Sequence, residues 1–157
     1  MKATATRTAA AKRDQRDRDL VRRTALLLSA NLPLQEVFGQ ICVLLSAFVD
    51  APIVLISSAL NEGIRVEYAL INGTAGVPDD PVPPTSVSYS VLTTGKPQLF
   101  RNRSEWPVTP APITVQGVGV RPESGMFVPI VFGGQAVGVL SVQSERTDAY
   151  DTNDQEA

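Results

Sequence analysis

Side chains that commonly carry catalysis or bind metal ions are scarce in this sequence. The 157 residues include no histidine and a single cysteine, Cys42. The missing histidine excludes a Ser-His-Asp or Cys-His nucleophile, a histidine zinc ligand and a histidine haem ligand. General acid–base chemistry would have to use carboxylates. We therefore predict that the chain is not an enzyme and that it holds no histidine-ligated metal or haem.

The single cysteine has the surroundings of a structural residue. Cys42 lies at the edge of an apolar helical stripe and has no basic neighbour in the sequence that would lower its pKa. We predict a buried thiol that acts as a small hydrophobic side chain. A lone cysteine cannot form an internal disulfide, which agrees with a reducing compartment.

Motifs that could hold an ion are incomplete. Residues 117–119 (GVG) lack the strand-to-helix context of a phosphate loop. The aspartates at 79–80 and within 148–154 lack the glycine and the terminal glutamate of an EF-hand loop. We interpret these aspartates as charge in a loop and at a helix start, and we predict no metal site.

Two polar residues interrupt the apolar run near the end of the chain. Ser141 and Gln143 alternate with Leu140 and Val142, so both lie on one face of the predicted strand. They are either polar groups of a ligand pocket or the outward positions of an ordinary alternating strand. The sequence favours neither.

The charge is divided unevenly along the chain. The net charge is −2, yet residues 1–23 hold eight basic and three acidic residues. Residues 1–13 are predicted to be a disordered basic tail. This head could contact nucleic acid or anionic lipid, but we favour a solvated tail, with no nucleic-acid partner. No apolar run spans a bilayer and no signal peptide is seen, so we expect a cytoplasmic protein.

Residues 14–157 are predicted to form a single domain. Helices are expected over 14–31, 33–48 and 86–94, and strands over 53–60, 64–70, 97–100, 126–132 and 135–144. Residues 101–122 read as a long loop. Asp151 or Thr152 would cap a last helix, inside which we expect the chain to be truncated. Helices on both sides of a mainly antiparallel sheet indicate an α+β fold.

Three local matches together resemble the GAF domain family over about residues 20–157. They are LTTGKP at 92–97, Ser124 followed by VPI at 128–130, and GVLSVQS at 138–144 with a helix start at 148–154. The resemblance implies a GAF/PAS-like central, mainly antiparallel sheet flanked by N- and C-terminal helices. It also implies a sensing module of bacterial-type signalling proteins.

The signature residues of three subtypes of this family are absent from this sequence. Bilin-binding GAF domains use a cysteine beside a histidine in the second half, and this chain has neither there. The Asn-Lys-Xaa-Phe-Asp signature of cyclic-nucleotide domains is not found. Methionine-sulfoxide-reducing members need several cysteines, whereas this chain has only Cys42. The resemblance therefore implies a sensor domain with no identified cofactor and an unknown small-molecule ligand.

The resemblance also places a ligand pocket on one face of the sheet, under the short helix and the long loops. An arginine there could pair with an anion, and an aromatic ring could stack on a planar ligand. Alternatively, and this is the interpretation we favour, the arginines are solvated and the tryptophan only anchors a loop. The pocket candidates are Tyr89, Arg101, Arg103, Trp106, Ser141 and Gln143.

The function implied is a non-enzymatic sensory or regulatory domain. It would bind a small molecule or partner and signal through its terminal helices to an output domain of the histidine kinase, diguanylate cyclase or phosphatase type. The alternative is a ligand-free dimerisation or protein-interaction module. We predict a homodimer through the first helix, on an apolar surface formed by Leu20, Val21, Thr24, Leu27 and Leu28.

Overall fold

Two long helices come first in the chain and a six-stranded sheet follows them. The computed structural model describes residues 2–29, 32–49, 51–61, 63–78, 82–108, 112–151 and 154. The helices are α1 (Lys2–Ser29), α2 (Leu34–Phe48) and α3 (Val87–Thr94). The strands are β1 (Ile53–Leu60), β2 (Gly63–Ile71), β3 (Thr74–Gly76), β4 (Gln98–Phe100), β5 (Ile113–Val115), β6 (Val118–Val120), β7 (Ser124–Phe132) and β8 (Gln135–Ser144).

The main sheet has the strand order β3-β2-β1-β8-β7-β4. Every strand pair in it is antiparallel. The two long hairpins, β1–β2 and β7–β8, are joined by the central pairing of β1 with β8. This architecture confirms the predicted α+β fold with a mainly antiparallel sheet.

Alternation along β1 supplies a separate core on each face of the sheet. Val54 and Ile56 pack with Cys42 of α2, on what we call the helix face. Ile53 and Leu55 pack instead against Val115 and Val120 of the small β5–β6 hairpin, on what we call the cavity face. Because successive side chains of a strand point to opposite faces, one apolar run can supply both cores.

The sequence prediction missed β5 and β6, which lie inside the segment read as a long loop. Their turn has Gln116 at φ 50° and Gly117 at φ 77°. Two consecutive positive φ angles are typical of the tight primed turns of hairpins. The Gln116 side chain also donates a 2.9 Å hydrogen bond to the Ala75 carbonyl, which ties the hairpin to β3. A short, proline-flanked hairpin gives too little periodicity to be recognised in advance.

Helix α1 differs from the predicted N-terminal tail. The helix begins at Lys2, whereas residues 1–13 were expected to be disordered. Alanine, lysine and arginine, which dominate this segment, have high helix propensities. An Arg18–Asp14 ion pair one turn apart adds to the helix further along. No described helix is long and apolar enough to cross a membrane.

The start of the predicted C-terminal helix is visible at Asp151. The amide of Asp154 donates to Asp151 Oδ1 and the amide of Asp151 donates to Asp154 Oδ2, both at 3.0 Å. This reciprocal pair is a capping box, which satisfies two amides at a helix start. The expected cap therefore falls on Asp151. Thr152 and the other residues of the predicted last helix, apart from Asp154, lie outside the described residues.

Candidate functional site

A cavity of about 310 Å³ lies on the cavity face of the sheet, between the strands and α3. Its floor is made by side chains of four neighbouring strands, and its walls by α3, the β5–β6 hairpin and the loops on either side. The floor residues are Leu55, Ser57, Val66, Phe127 and Gln143. The wall residues are Pro78, Val82, Pro83, Thr85, Ser86, Val87, Ser88, Trp106, Val108, Pro112, Ile113 and Thr114.

Trp106 forms one wall and is held on several sides. Its indole Nε1 donates a 3.1 Å hydrogen bond to the Glu123 carbonyl. Its ring stacks on Phe100 at a centroid distance of 4.9 Å and meets Phe127 edge-on at 5.5 Å with an interplanar angle of 89°. Such pairs fix ring orientation as well as burying area. We call Trp106 and the floor residue Phe127 the aromatic walls of the cavity; their rings are set at nearly a right angle.

The floor carries two buried polar side chains on adjacent strands. Ser57 is 4% exposed and Gln143 is 3% exposed. Gln143 Nε2 donates a 3.1 Å hydrogen bond to Ser141 Oγ, which fixes the orientation of the amide. Among the described residues, neither the Ser57 hydroxyl nor Gln143 Oε1 makes a hydrogen bond. Because both residues line the cavity, these groups are available to a ligand.

The amino end of α3 opens onto the same space. Ser86 caps the helix by accepting a 3.2 Å hydrogen bond from the Tyr89 amide. Ser86, Val87 and Ser88 all line the cavity. The first amides of a helix have no intrahelical acceptor and carry a partial positive charge. The helix start therefore offers donors to an acceptor group of a ligand.

The structure brings only some of the predicted site residues to the cavity. Trp106 and Gln143 line it, and Ser141 lies behind Gln143 at 1% exposure. Ser141 and Gln143 therefore occupy inward positions, one of the two alternatives that the sequence left open.

Tyr89, Arg101 and Arg103 do not line the cavity. Tyr89 is half-buried and packs against the aromatic cluster below α3. Arg101 is exposed, and its backbone carbonyl accepts a 2.7 Å hydrogen bond from the Asp148 amide. Arg103 pairs with Glu123 at 2.8 Å. Their roles toward a ligand stay predictions.

The sequence analysis missed Ser57 and the serines of α3 as cavity residues. Ser57 has the same parity along β1 as Ile53 and Leu55, but β1 is buried on both faces, so the sequence did not show which face Ser57 takes. Its pairing with Val139 puts it near the β8 polar residues. That pairing is not visible in the sequence. Ser57 and Gln143 lie far apart along the chain and line one cavity only because β1 and β8 are neighbours.

Cys42 lies on the helix face, away from the cavity. It is fully buried among apolar side chains, and burial raises the pKa of its thiol from an ordinary value of 9.0 to about 12. Burial also raises the pKa of the Tyr68 phenol. A thiol that stays protonated at neutral pH is a poor nucleophile and a poor metal ligand. No group of three or more potential metal-ligating side chains is found in the described part of the chain.

Comparison with known proteins identifies this architecture. The family described as GAF domain matches residues 31–157. No curated protein matches the chain. A putative GAF sensor protein from Burkholderia vietnamiensis is similar with a TM-score of 0.72 and 16% identity, over 92% of this chain and 87% of that one.

Two enzymes have a similar fold. Free methionine-R-sulfoxide reductase from Neisseria meningitidis, in complex with its substrate, gives a TM-score of 0.70 and 13% identity over 92% of this chain and 82% of that one. The corresponding protein from Staphylococcus aureus, in its reduced form, gives a TM-score of 0.66 and 17% identity, over 87% of this chain and 84% of that one. The prediction, made from the missing histidine and the single cysteine, that the chain is not an enzyme is therefore wrong, because enzymes share this fold and an enzyme role is plausible. At these identities the likeness shows the fold alone.

Proposed function

The chain belongs to the GAF domain family, and from that premise we propose that it is a sensory domain that binds a small molecule in the cavity between the sheet and α3. The observation that carries this proposal is the cavity itself. Its volume of about 310 Å³ is that of a small-molecule site, and its lining is apolar with a few inward polar groups. A face that only completed a core would be filled by side chains.

A set of hydrogen bonds supports a connection from the cavity to the C-terminal segment. Trp106 bonds the carbonyl of Glu123, whose own amide donates to the Ser144 carbonyl at 2.8 Å. The next residue, Ser124, donates through its hydroxyl to the Arg146 carbonyl at 2.6 Å. A ligand that moves the Trp106 wall would thereby bias the segment that leads to the Asp151 cap.

The receiver of that bias would be an output domain in a longer protein, reached through the terminal helices. A domain of the histidine kinase, diguanylate cyclase or phosphatase type would serve as this output domain. The contact between Arg101 and Asp148 reinforces the connection, because it joins the start of the Trp106 loop directly to the C-terminal segment.

A cavity-filling variant tests the proposal. Ser88 lines the cavity, so Ser88→Phe should occupy part of the space and abolish fragment binding. Thr93 is exposed on the same helix, and Thr93→Phe is the matched control that should bind as the unaltered protein does. The readout is a ligand-detected NMR screen of neutral and charged fragments. The single tryptophan, Trp106, reports binding through its indole N–H signal. A screen without hits on the unaltered protein would overturn the proposal.

A second candidate function is a dimerisation or interaction module. Four apolar side chains on the outside of α1 and α2 are more than 60% exposed: Val21, Leu26, Leu34 and Val43. Exposed apolar side chains grouped on helices are typical of contact surfaces. The two functions are compatible, because the cavity and these helices lie on opposite faces of the sheet.

A further inference from the structure

The lining of the cavity restricts the ligand further. Resting on the proposed function, we infer that the cavity takes an uncharged planar molecule whose hydrogen-bonding groups meet the α3 start and the Gln143 amide. Three observations carry this inference: the charge of the lining, the positions of its polar groups and the geometry of its aromatic walls.

No described residue that lines the cavity carries a charge. Arg103, one of the predicted site residues, does not line the cavity: it is paired with Glu123 and donates to the Pro122 carbonyl at 3.3 Å, although its Nε has no partner among the described residues. A charged ligand would leave water without an oppositely charged side chain to receive it. Moving an ion into an apolar site without a partner costs far more than moving a hydrogen-bonded neutral group. The described lining therefore offers no counter-charge to a cation or to an anion.

The polar groups that remain are suited to a neutral amide, lactam or similar group. Gln143 presents an amide oxygen that accepts, and Ser57 a hydroxyl that can donate or accept. The α3 start presents amide donors from the other side of the space. A ligand amide could accept a hydrogen bond from the α3 start and donate one to the Gln143 oxygen, while Ser57, which pairs with Val139, lies further along the floor.

The aromatic walls favour a flat ligand body. Trp106 and Phe127 meet at 89°, so a planar ring can stack on one and approach the other edge-on. The apolar remainder of the lining comes from Leu55, Val66, Val82 and Ile113. A planar, neutral molecule buries its apolar body here at no electrostatic cost.

The cavity is poorly suited to a free amino acid. Free methionine sulfoxide, the substrate class named for the structurally similar reductases, carries both an ammonium and a carboxylate near neutral pH. The described lining offers neither charge a partner. We therefore expect free methionine sulfoxide to bind more weakly than a neutral planar probe of similar size.

Three probes of nearly equal shape test the charge preference: benzoate, benzamide and benzamidine, which at neutral pH are anionic, neutral and cationic. Their affinities for the full chain are measured from shifts of the Trp106 indole N–H signal. We expect benzamide to bind at least about tenfold more tightly than either charged probe. Equal or tighter binding of benzoate or benzamidine overturns the inference and leaves the proposed sensory function standing.

If none of the three probes binds, the charges of the hits in the fragment screen decide. Uncharged hits support the inference and charged hits overturn it. A screen with no hits overturns the proposed function as well. The Gln143→Leu variant should lose benzamide affinity several-fold, whereas Gln98→Leu, the same change outside the cavity, should not. Thermal unfolding checks that both variants fold. Unchanged benzamide affinity in a folded Gln143→Leu protein counts against the inferred orientation.

Discussion

The indole of Trp106 lies so close to Gly125 that a Cβ atom there would crowd it. A Cβ atom at Gly125 would lie 3.0 Å from both Cζ2 and Cη2 of Trp106 and 3.0 Å from Cε2 of Phe127. Gly125 is an ordinary position within β7 and has no positive φ. The glycine therefore provides space rather than backbone freedom, and it lets the aromatic wall of the cavity rest directly on the sheet.

We expect Gly125→Ala to destabilise the fold and to displace Trp106. The added methyl group overpacks a buried aromatic cluster, which typically costs about 1–3 kcal/mol. Urea unfolding measures the cost, and the emission of the single tryptophan reports the displacement. Gly119→Ala is the control, because its Cβ would make only an ordinary 3.5 Å contact with Thr114 Oγ1. Equal stability of the two variants would show that Trp106 does not rest on Gly125.

Cys42 is expected to stabilise the fold as a small apolar side chain. It is fully buried in the helix-face core, so Cys42→Ala should cost about 1–2 kcal/mol at neutral pH as a small core truncation. Urea unfolding compares it with Val43→Ala, the neighbouring position, where the side chain is 63% exposed and the change should cost little. Rapid labelling of Cys42 by a thiol reagent in the folded protein would contradict this assignment.

The contribution of Cys42 should disappear at high pH. Its pKa is about 12 in the folded protein against 9.0 ordinarily. Between these values the unfolded chain loses the thiol proton while the folded chain keeps it. The stability of the unaltered protein should therefore fall, relative to Cys42→Ala, by about 1.4 kcal/mol per pH unit above pH 9. Unfolding curves of both proteins from pH 7 to pH 10.5 measure the difference. A difference that stays constant over this range would rule out the burial effect.

Removal of the Tyr150 hydroxyl should not destabilise the protein. Tyr150 is 3% exposed, and its hydroxyl is buried without a hydrogen-bond partner among the described residues. Burial also raises the pKa of this phenol. An unpaired buried hydroxyl is costly, so we expect Tyr150→Phe to stabilise the fold by about 1 kcal/mol. Thermal unfolding compares it with Tyr89→Phe, where the residue is half-buried and the change should be neutral. A clear loss of stability in Tyr150→Phe would reveal a partner for the hydroxyl.

The predicted homodimer can be tested at residues of α1 whose side chains are exposed in the single chain. Val21 and Leu26 are 67% and 61% exposed on α1. The double variant Val21→Glu/Leu26→Glu should convert a dimer to a folded monomer, because it places charge in an apolar contact. Sedimentation measures the change in mass, and circular dichroism checks the fold. The side chains of Thr24, Leu27 and Leu28, also part of the predicted surface, lie outside the described residues.

Leu20 provides the contrast for the dimer test. It lines a small cavity beside Leu45 and Val49, between α1 and the rest of the helix face. Leu20→Glu should therefore destabilise the folded chain itself rather than a contact between copies. If the unaltered protein sediments as a monomer, the predicted dimer is wrong.

Local signals in the sequence were sufficient for most elements. Three signals are each set by residues close together in the chain: the apolar period of α2, the Ser86 cap with Gly95 at the end of α3, and the alternation of β2 and β8. The strands within segment 101–122 were harder to predict, because β5 and β6 have three residues each and gain their stability from packing on Ile53 and Leu55. Helix α1 was placed too late, because charge density was read as disorder although its residues are good helix formers.

The sequence by itself determined the α+β class, the order of the main elements and the shared face of Ser141 and Gln143, because periodicity and capping are local properties. Only the tertiary structure showed that this face points inward. Only the tertiary structure decided which polar side chains share one cavity. The antiparallel pairing of β1 with β8 brings Ser57 and Gln143 to one floor. The pairing of Arg103 with Glu123 holds that arginine outside the lining. These outcomes depend on which strands are neighbours and on their register. Contacts between residues that are distant in the chain fix both, so no local sequence pattern predicts them.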